Sequence, residues 1–150
     1  MGIAKSNKGL CRVYFPEEAP FDSALKRDFP DFLFVKDDTS CTDIKKQIEE
    51  YFSGKRTSFD LELDLQCPPF YKKALNEVNK IPFGKTVSYK DIAERAGNSK
   101  AVRAAGSANA NNPLPIVIPC HRILNTGGGL GGYGGNLERK VYLLELEGSI

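Results

Sequence analysis

Pro68 and Pro69, side by side, constrain the folding of this chain more than any other feature of its sequence. Neither offers a backbone N–H, each fixes φ at about −65°, and Pro68 pushes Cys67 into an extended conformation, so no strand or helix runs through the pair. The prolines also separate two kinds of patterning. Before them, Leu61, Leu63 and Leu65 alternate with polar residues, which predicts an extended segment with one buried face. After them, Phe70, Ala74, Leu75 and Val78 recur at helical spacing. The expected division is a domain of residues 1–67 followed by a domain of residues 68–150.

The first domain mixes strands and helices. Leu10 to Phe15 and Phe32 to Val35 read as strands, and Phe21 to Asp28 as a short helix. Ile44, Ile48, Tyr51 and Phe52 form one face of an amphipathic helix over Asp43 to Phe52, closed by Gly54. Gly2 and Ser6 fit a loose myristoylation pattern, but Ile3 and Ala4 read better as a strand entering the turn Asn7-Lys8-Gly9.

The second domain is mainly helical. Its first helix stops at Ile81-Pro82-Phe83-Gly84, and Ser88 caps a second helix through Ala96 with Ile92 and Ala93 inward. Gly97-Asn98-Ser99 then turns into a third helix, Lys100 to Ala108, which makes a helix-turn-helix. Asn111 to Pro115 reads as a rigid loop and Ile116 to Ile118 as a short buried strand. The glycine-rich stretch Gly127 to Gly135 leads into a last helix, Asn136 to Glu147, with Leu137, Val141 and Leu144 inward and Gly148 as its stop. The fold class is therefore α+β, with an α/β domain preceding a helix-turn-helix domain.

Several function classes drop out. With 150 residues, 41% hydrophobic and 27% charged, the chain has the composition of a soluble globular protein. No apolar run approaches the roughly 18–20 residues that span a bilayer, and the N-terminus has no secretory apolar region. A cytoplasmic protein (nuclear in a eukaryote) with no membrane partner is expected. Cys11, Cys41, Cys67 and Cys120 show no CxxC pair, and His121 is the single histidine. Reduced thiols and no metal site follow. Gly84-Lys85-Thr86 lacks the first glycine of a phosphate loop, since position 79 is Asn79. Gly127, Gly129 and Gly132 do not sit between a strand and a helix, so no dinucleotide cofactor is expected.

Charge is uneven along the chain: residues 1–67 carry −3, residues 68–122 carry +6 and residues 123–150 carry −1. A basic middle suits a polyanion, although charge alone fits an ordinary solvated surface equally well. The third helix, Lys100-Ala101-Val102-Arg103-Ala104-Ala105-Gly106-Ser107-Ala108, is nearly all small residues. Small side chains build a poor core but allow close approach to a narrow minor groove, with Arg103 reaching into the base stack. Simple helix packing is the alternative. Tyr133, in the glycine-rich loop, is either packed or presented to something flat.

Pro119-Cys120-His121-Arg122 is the informative run. A thiol needs a base or a positive neighbour to become a nucleophilic thiolate, and the lone histidine follows Cys120 directly. On an extended segment adjacent side chains point opposite ways, so the contact is expected to run through a water. Glu147 sits where the helix dipole disfavours a carboxylate, so it is expected to have a cationic or imidazole partner and is a candidate to orient the ring. The alternative is an inert buried cysteine, the reading given to Cys11, Cys41 and Cys67.

Tyr89, Asn98 with Arg103, Asn112-Pro113-x-Pro115, Ile118-Pro119-Cys120-His121-Arg122, Gly131-x-Tyr133 and Leu143-Leu144-x-x-Glu147-Gly148 occur together in order. The set resembles the O6-alkylguanine-DNA alkyltransferase family, also called methylated-DNA–protein-cysteine methyltransferase, densely from about Phe70 to Gly148 and loosely before it. The resemblance implies a ribonuclease-H-like N-terminal domain and a helix-turn-helix domain that binds the minor groove of double-stranded DNA. It implies direct reversal of damage: the alkyl group of O6-alkylguanine, and of O4-alkylthymine, passes irreversibly to Cys120, once per molecule, from a flipped nucleotide. No cofactor is implied, and a monomer is expected.

The resemblance also assigns roles. Cys120 is the nucleophile, His121 its water-bridged base and Glu147 the orienting carboxylate. Tyr89 assists phosphate rotation and donates a proton to the guanine ring, and Asn112 is a hinge between the active-site segment and the helix-turn-helix. Arg103 fills the gap left by the flipped nucleotide, with Tyr71, Lys90, Asn98, Ala104, Gly106 and Thr126 as further DNA contacts. Asn109, Pro115, Ile123, Gly131, Tyr133 and Gly134 line the pocket, where backbone groups of Cys120 and Ile123 read the base edge.

Departures from the family pattern are Gly134 for a common serine, Asn109 for a common methionine and Leu75 for a common tryptophan, which bear on substrate size. The chain starts inside the family's first strand, so a truncated edge is expected there. Relatives that only bind lesions lack the cysteine. A regulator that senses alkylation and a cysteine hydrolase are the other rivals.

Overall fold

The computed structural model describes residues 1–17, 20–134 and 136–150, in two compact units, Met1–Leu65 and Gln66–Ile150. In the first unit, β1 (Gly2–Ser6) and β2 (Gly9–Tyr14) pair antiparallel, with an irregularity between Ala4 and Lys5. Leu10 also bridges Leu63, donating its N–H to the Glu62 carbonyl at 2.8 Å while its own carbonyl accepts from Asp64 N–H at 2.9 Å. Only glycine fits position 9, because φ is +145° and an added Cβ would lie 2.4 Å from the Glu62 carbonyl oxygen. Helix α1 (Phe21–Asp28) sets Ala24 and Leu25 against Ala4 and Tyr14. Helix α2 (Thr42–Phe52) buries Ile44, Gln47, Ile48 and Tyr51, and the Gln47 amide bonds both backbone groups of Asp60.

Phe32 to Val35 is not a strand. These residues are irregular, and Leu33 and Val35 are 100% and 87% exposed. An apolar run becomes a buried strand only where a neighbour supplies a ladder, and none does so among the described residues.

The second unit holds α3 (Pro69–Asn79), β3 (Val87–Ser88), α4 (Tyr89–Arg95), α5 (Val102–Ala110), β4 (Ile123–Leu124) and α6 (Leu137–Leu146). Pro69 opens α3, where its missing N–H costs nothing. Ser88 and Asp91 form a reciprocal capping box at the start of α4. α3 and α4 both pack against α5, which buries Ala105, Ala108 and Asn109. β3 and β4 pair parallel, Val87 with Ile123 and Ser88 with Leu124, and so bring the segment after Cys120 beside the start of α4.

Two further expectations change. Ile116 to Ile118 is a turn, not a strand: Pro115 bridges Ile118, and Ile116 has φ of +75°. A β-branched residue there is strained and persists only where its surroundings fix it, here by full burial. On α6, Leu137 is 47% exposed and Val141 is half-buried, whereas Lys140, Leu143, Leu144 and Glu147 are buried. The inward stripe follows the helical period but carries a charge at each end. No helix among the described residues is long and apolar enough to cross a membrane.

Candidate active site

Cys120 opens a single 3-10 turn, Cys120–Arg122, rather than lying on an extended segment, and all three residues are buried. Asn112 shapes the approach. Its Nδ2 donates to the Ile118 carbonyl at 2.9 Å, and its Oδ1 accepts from Leu114 N–H at 3.0 Å, so one amide spans the turn before the thiol. Asn109 Nδ2 donates to the Cys120 carbonyl at 3.2 Å. That carbonyl also accepts from Ile123 N–H, so both of its acceptor positions are taken, and the pocket wall contains a polar amide.

Beyond Cys120 lies a buried charge cluster. Glu147 Oε1 is 2.8 Å from His121 Nε2, and Arg122 grips the carboxylate with Nε and NH2, each at 2.8 Å. Arg122 NH1 donates to the Ile81 carbonyl, and Gly84 N–H donates to Glu147 at 3.2 Å. Both side chains of the His121–Glu147 pair are fully buried. Arg122 is therefore not free to act on the thiol, and the fork geometry makes it a fixed support for Glu147.

Burial pulls the His121 imidazole below its ordinary value of 6.5, against the carboxylate of Glu147, which pulls it up. The neutral ring donates from Nε2, since a carboxylate only accepts, and so carries its lone pair on Nδ1. Nδ1 is buried with no protein partner among the described residues. The arrangement is a base waiting for a proton. Burial also pushes the Cys120 thiol up, opposed by hydrogen bonds from Asn112 and Tyr133 and by the charge of Lys140. The resting group is a thiol, and a nearby base is what it needs.

A pH dependence follows. A histidine depressed in the folded state stabilises fully above its unfolded pKa of about 6.5 and less as pH falls through the lower folded value. Urea midpoints are expected to fall as the pH drops below about 6.5. His121→Gln, which keeps a donor to Glu147 but does not titrate, is expected to flatten that slope; an unchanged slope would place its origin elsewhere.

The pocket walls come from α4, α5 and the glycine-rich loop. Tyr89, half-buried at the start of α4, points its hydroxyl at the Gly132 carbonyl 3.4 Å away, and burial holds its phenol protonated. Gly131 has φ of +66°, and a Cβ there would fall 3.1 Å from Tyr89, so a side chain would strike the ring. Tyr133 is buried, as are Pro115 and Ile123, while Gly134 is exposed with open space at its Cβ position. Gly135, the last of that glycine run, lies outside the described residues.

Arg103 is exposed on α5, and Lys90, Asn98 and Thr126 are exposed as well. Ala104 and Gly106 are half-buried on α5, with Tyr89 3.9 Å from the Cβ position of Gly106, and Tyr71 is half-buried on α3. Sequence reasoning missed Lys140. It is fully buried on α6 and donates to the carbonyls of Ile123, Leu130 and Gly132. Among the described residues, no group of three or more His, Cys, Asp or Glu is placed to hold a metal ion.

Comparison with known proteins is consistent over the whole chain. The family profile described as 6-O-methylguanine DNA methyltransferase, DNA binding domain, matches residues 69–149, and the ribonuclease-like domain of that family matches residues 1–65. A methylated-DNA–protein-cysteine methyltransferase of Methanosarcina acetivorans is 41% identical over 147 residues, which cover 98% of this chain and 90% of the relative. One from Mycolicibacterium paratuberculosis is 48% identical over 102 residues, 68% of this chain, and the matched stretch spans 62% of that relative's length. The crystal structure of Mycobacterium tuberculosis OGT in complex with DNA aligns at a TM-score of 0.84 with 35% identity, covering 98% of this chain and 85% of the other.

Proposed function

The chain belongs to the 6-O-methylguanine DNA methyltransferase family, and from that premise we propose that it repairs alkylated DNA by moving the alkyl group of O6-alkylguanine onto Cys120. One observation carries the proposal: a buried cysteine precedes a neutral histidine whose Nε2 is held by Glu147 and whose Nδ1 is left as an acceptor.

The exposed basic and small side chains of α4 and α5 face the minor groove. Arg103 fills the gap left when the damaged nucleotide turns out of the stack. Eversion costs a few kcal/mol, less for a poorly paired lesion, which favours damaged sites. Tyr133 and Tyr89 flank the everted base. The thiol proton passes through one water to His121 Nδ1, and the thiolate attacks the alkyl carbon. A sulfur–carbon bond forms as the carbon–O6 bond breaks. The electron pair left on guanine takes the Tyr89 proton, and the tyrosine regains one as the imidazolium gives up its own to solvent.

The thioether product offers no leaving group, so each molecule acts once. An O4-alkyl group on thymine presents the same carbon and is a second substrate. Gly134 contributes only its N–H toward O6. The acceptor, base, orienting carboxylate and pocket tyrosines all come from one chain, which suits a monomer acting in the compartment that holds the DNA.

Arg103→Ala separates eversion from chemistry. Wild-type protein is expected to take the alkyl group both from duplex O6-methylguanine and from free O6-benzylguanine. The variant is expected to lose at least ~10-fold in rate on duplex, the effect of about 1.4 kcal/mol of the few kcal/mol that eversion costs, and little on the free base. Equal loss on both substrates would make Arg103 structural, and inactivity of the wild type on both would contradict alkyl transfer.

A further inference from the structure

Asn109 stands where the family commonly carries methionine, and its carboxamide is only half satisfied. The residue is 6% exposed. Nδ2 donates to the Cys120 carbonyl at 3.2 Å, whereas Oδ1 is buried without a protein partner among the described residues. Turning the amide over would set its oxygen against that carbonyl, acceptor against acceptor, so chemistry fixes the orientation. A buried amide oxygen without a donor is costly unless something bound supplies one.

The backbone beside it is already engaged. Cys120 N–H donates to the Ile118 carbonyl at 2.8 Å, and the Cys120 carbonyl accepts from both Asn109 and Ile123 N–H. The Ile123 carbonyl accepts from Lys140 at 2.6 Å. Each backbone group expected to read the base edge thus has a partner within the chain. Asn109 lies one helical turn beyond Gly106, whose Cβ position is 3.9 Å from Tyr89, so both occupy the face of α5 that meets the tyrosine. Burial pushes the Tyr89 phenol up, and the Asn109 amide, as a donor, draws it back. The amide therefore sits in the pocket wall between the Cys120 segment and Tyr89.

In DNA, O6-alkylguanine brings a single donor group to such a wall. Alkylation at O6 leaves N1 without a hydrogen, and N3 and N7 carry none. What remains is the exocyclic 2-amino group.

We propose that Asn109 is a specificity-determining residue whose Oδ1 accepts a hydrogen bond from the 2-amino group of the everted O6-alkylguanine. The proposal rests on Cys120 being the alkyl acceptor in this pocket. A base without the amino group leaves Oδ1 unpaired, and a site built to bond a polar group discriminates against analogues that lack it.

The test compares duplexes carrying O6-methylguanine and O6-methylhypoxanthine, which differ by the 2-amino group alone. Methyl gain by the full chain is timed by intact mass for wild type, Asn109→Met and Asn109→Ala. Affinity for the same duplexes is measured with each of the three pockets in a Cys120→Ala background. Losing the Nδ2 contact affects both lesions alike, and differences in how the lesions pair within DNA affect every pocket alike. Both therefore cancel when the preference of one pocket is divided by that of another. Wild type is expected to favour the guanine lesion ~10-fold more than Asn109→Met does, in affinity as in rate, about the effect of one buried hydrogen bond. Asn109→Ala is expected to match Asn109→Met, and it carries the comparison if the methionine variant does not fold.

Equal affinity preference in the wild-type pocket and a folded variant pocket would overturn the proposal. Binding in the Cys120→Ala background involves no transfer. An Asn109-dependent preference there, with no methyl gain by the wild type, would refute the acceptor role of Cys120 and leave the base contact standing.

Discussion

Glu147→Gln is expected to slow alkyl transfer by about 10²-fold and to destabilise the helical unit by roughly 3 kcal/mol. Glutamine keeps the shape of the side chain, so the effect isolates charge and acceptor geometry. The wild-type carboxylate accepts from His121, twice from Arg122 and once from Gly84. An amide has one oxygen where the carboxylate has two, and its NH2 meets the arginine fork with the wrong polarity. Arg122 would then be a buried cation without its counter-ion, which is the expensive way to break a buried pair. His121 would lose the partner that fixes Nε2 as its donor, and with it the lone pair aimed from Nδ1.

The two effects can be separated. Glu147→Leu combined with Arg122→Met removes both charges together, and paired replacement by apolar groups is often neutral. Most of the stability is expected to return, measured as a urea midpoint at unchanged slope, while transfer stays slow. Wild-type transfer rates in Glu147→Gln would show that the ring needs no orienting carboxylate.

Much of the site is legible in the sequence because its chemistry uses rare residues. The single histidine next to a cysteine, and a glutamate at the unfavourable end of a helix, each announce a local problem that a partner must solve. Spans of helix are legible for a simpler reason: α1 and α2 are set by apolar spacing and end where it fails. What stays hidden depends on contacts distant in sequence. Phe32 to Val35 looks like a strand by composition, yet a strand needs a neighbour and composition does not provide one. Ile116 adopts a backbone angle that its own residue type disfavours, so only the surrounding fold explains it. Lys140 is the instructive miss. Hydrophobic patterning counts every lysine as solvated and so chose Leu137 and Val141, although the buried stripe at 140, 143, 144 and 147 is just as regular. A lysine and a glutamate capping an inward stripe are themselves a signal that the helix lines a site.

Intact mass after incubation with duplex O6-methylguanine tests alkyl transfer to Cys120 most directly. Wild-type protein is expected to gain one methyl per molecule and no more in excess DNA, on the peptide that holds Cys120. Cys120→Ala, which removes a small buried side chain, is expected to fold, to bind the duplex and to gain nothing. A wild-type protein that binds the lesion with unchanged mass would contradict the acceptor role of Cys120, as would a methyl group found on Cys11, Cys41 or Cys67.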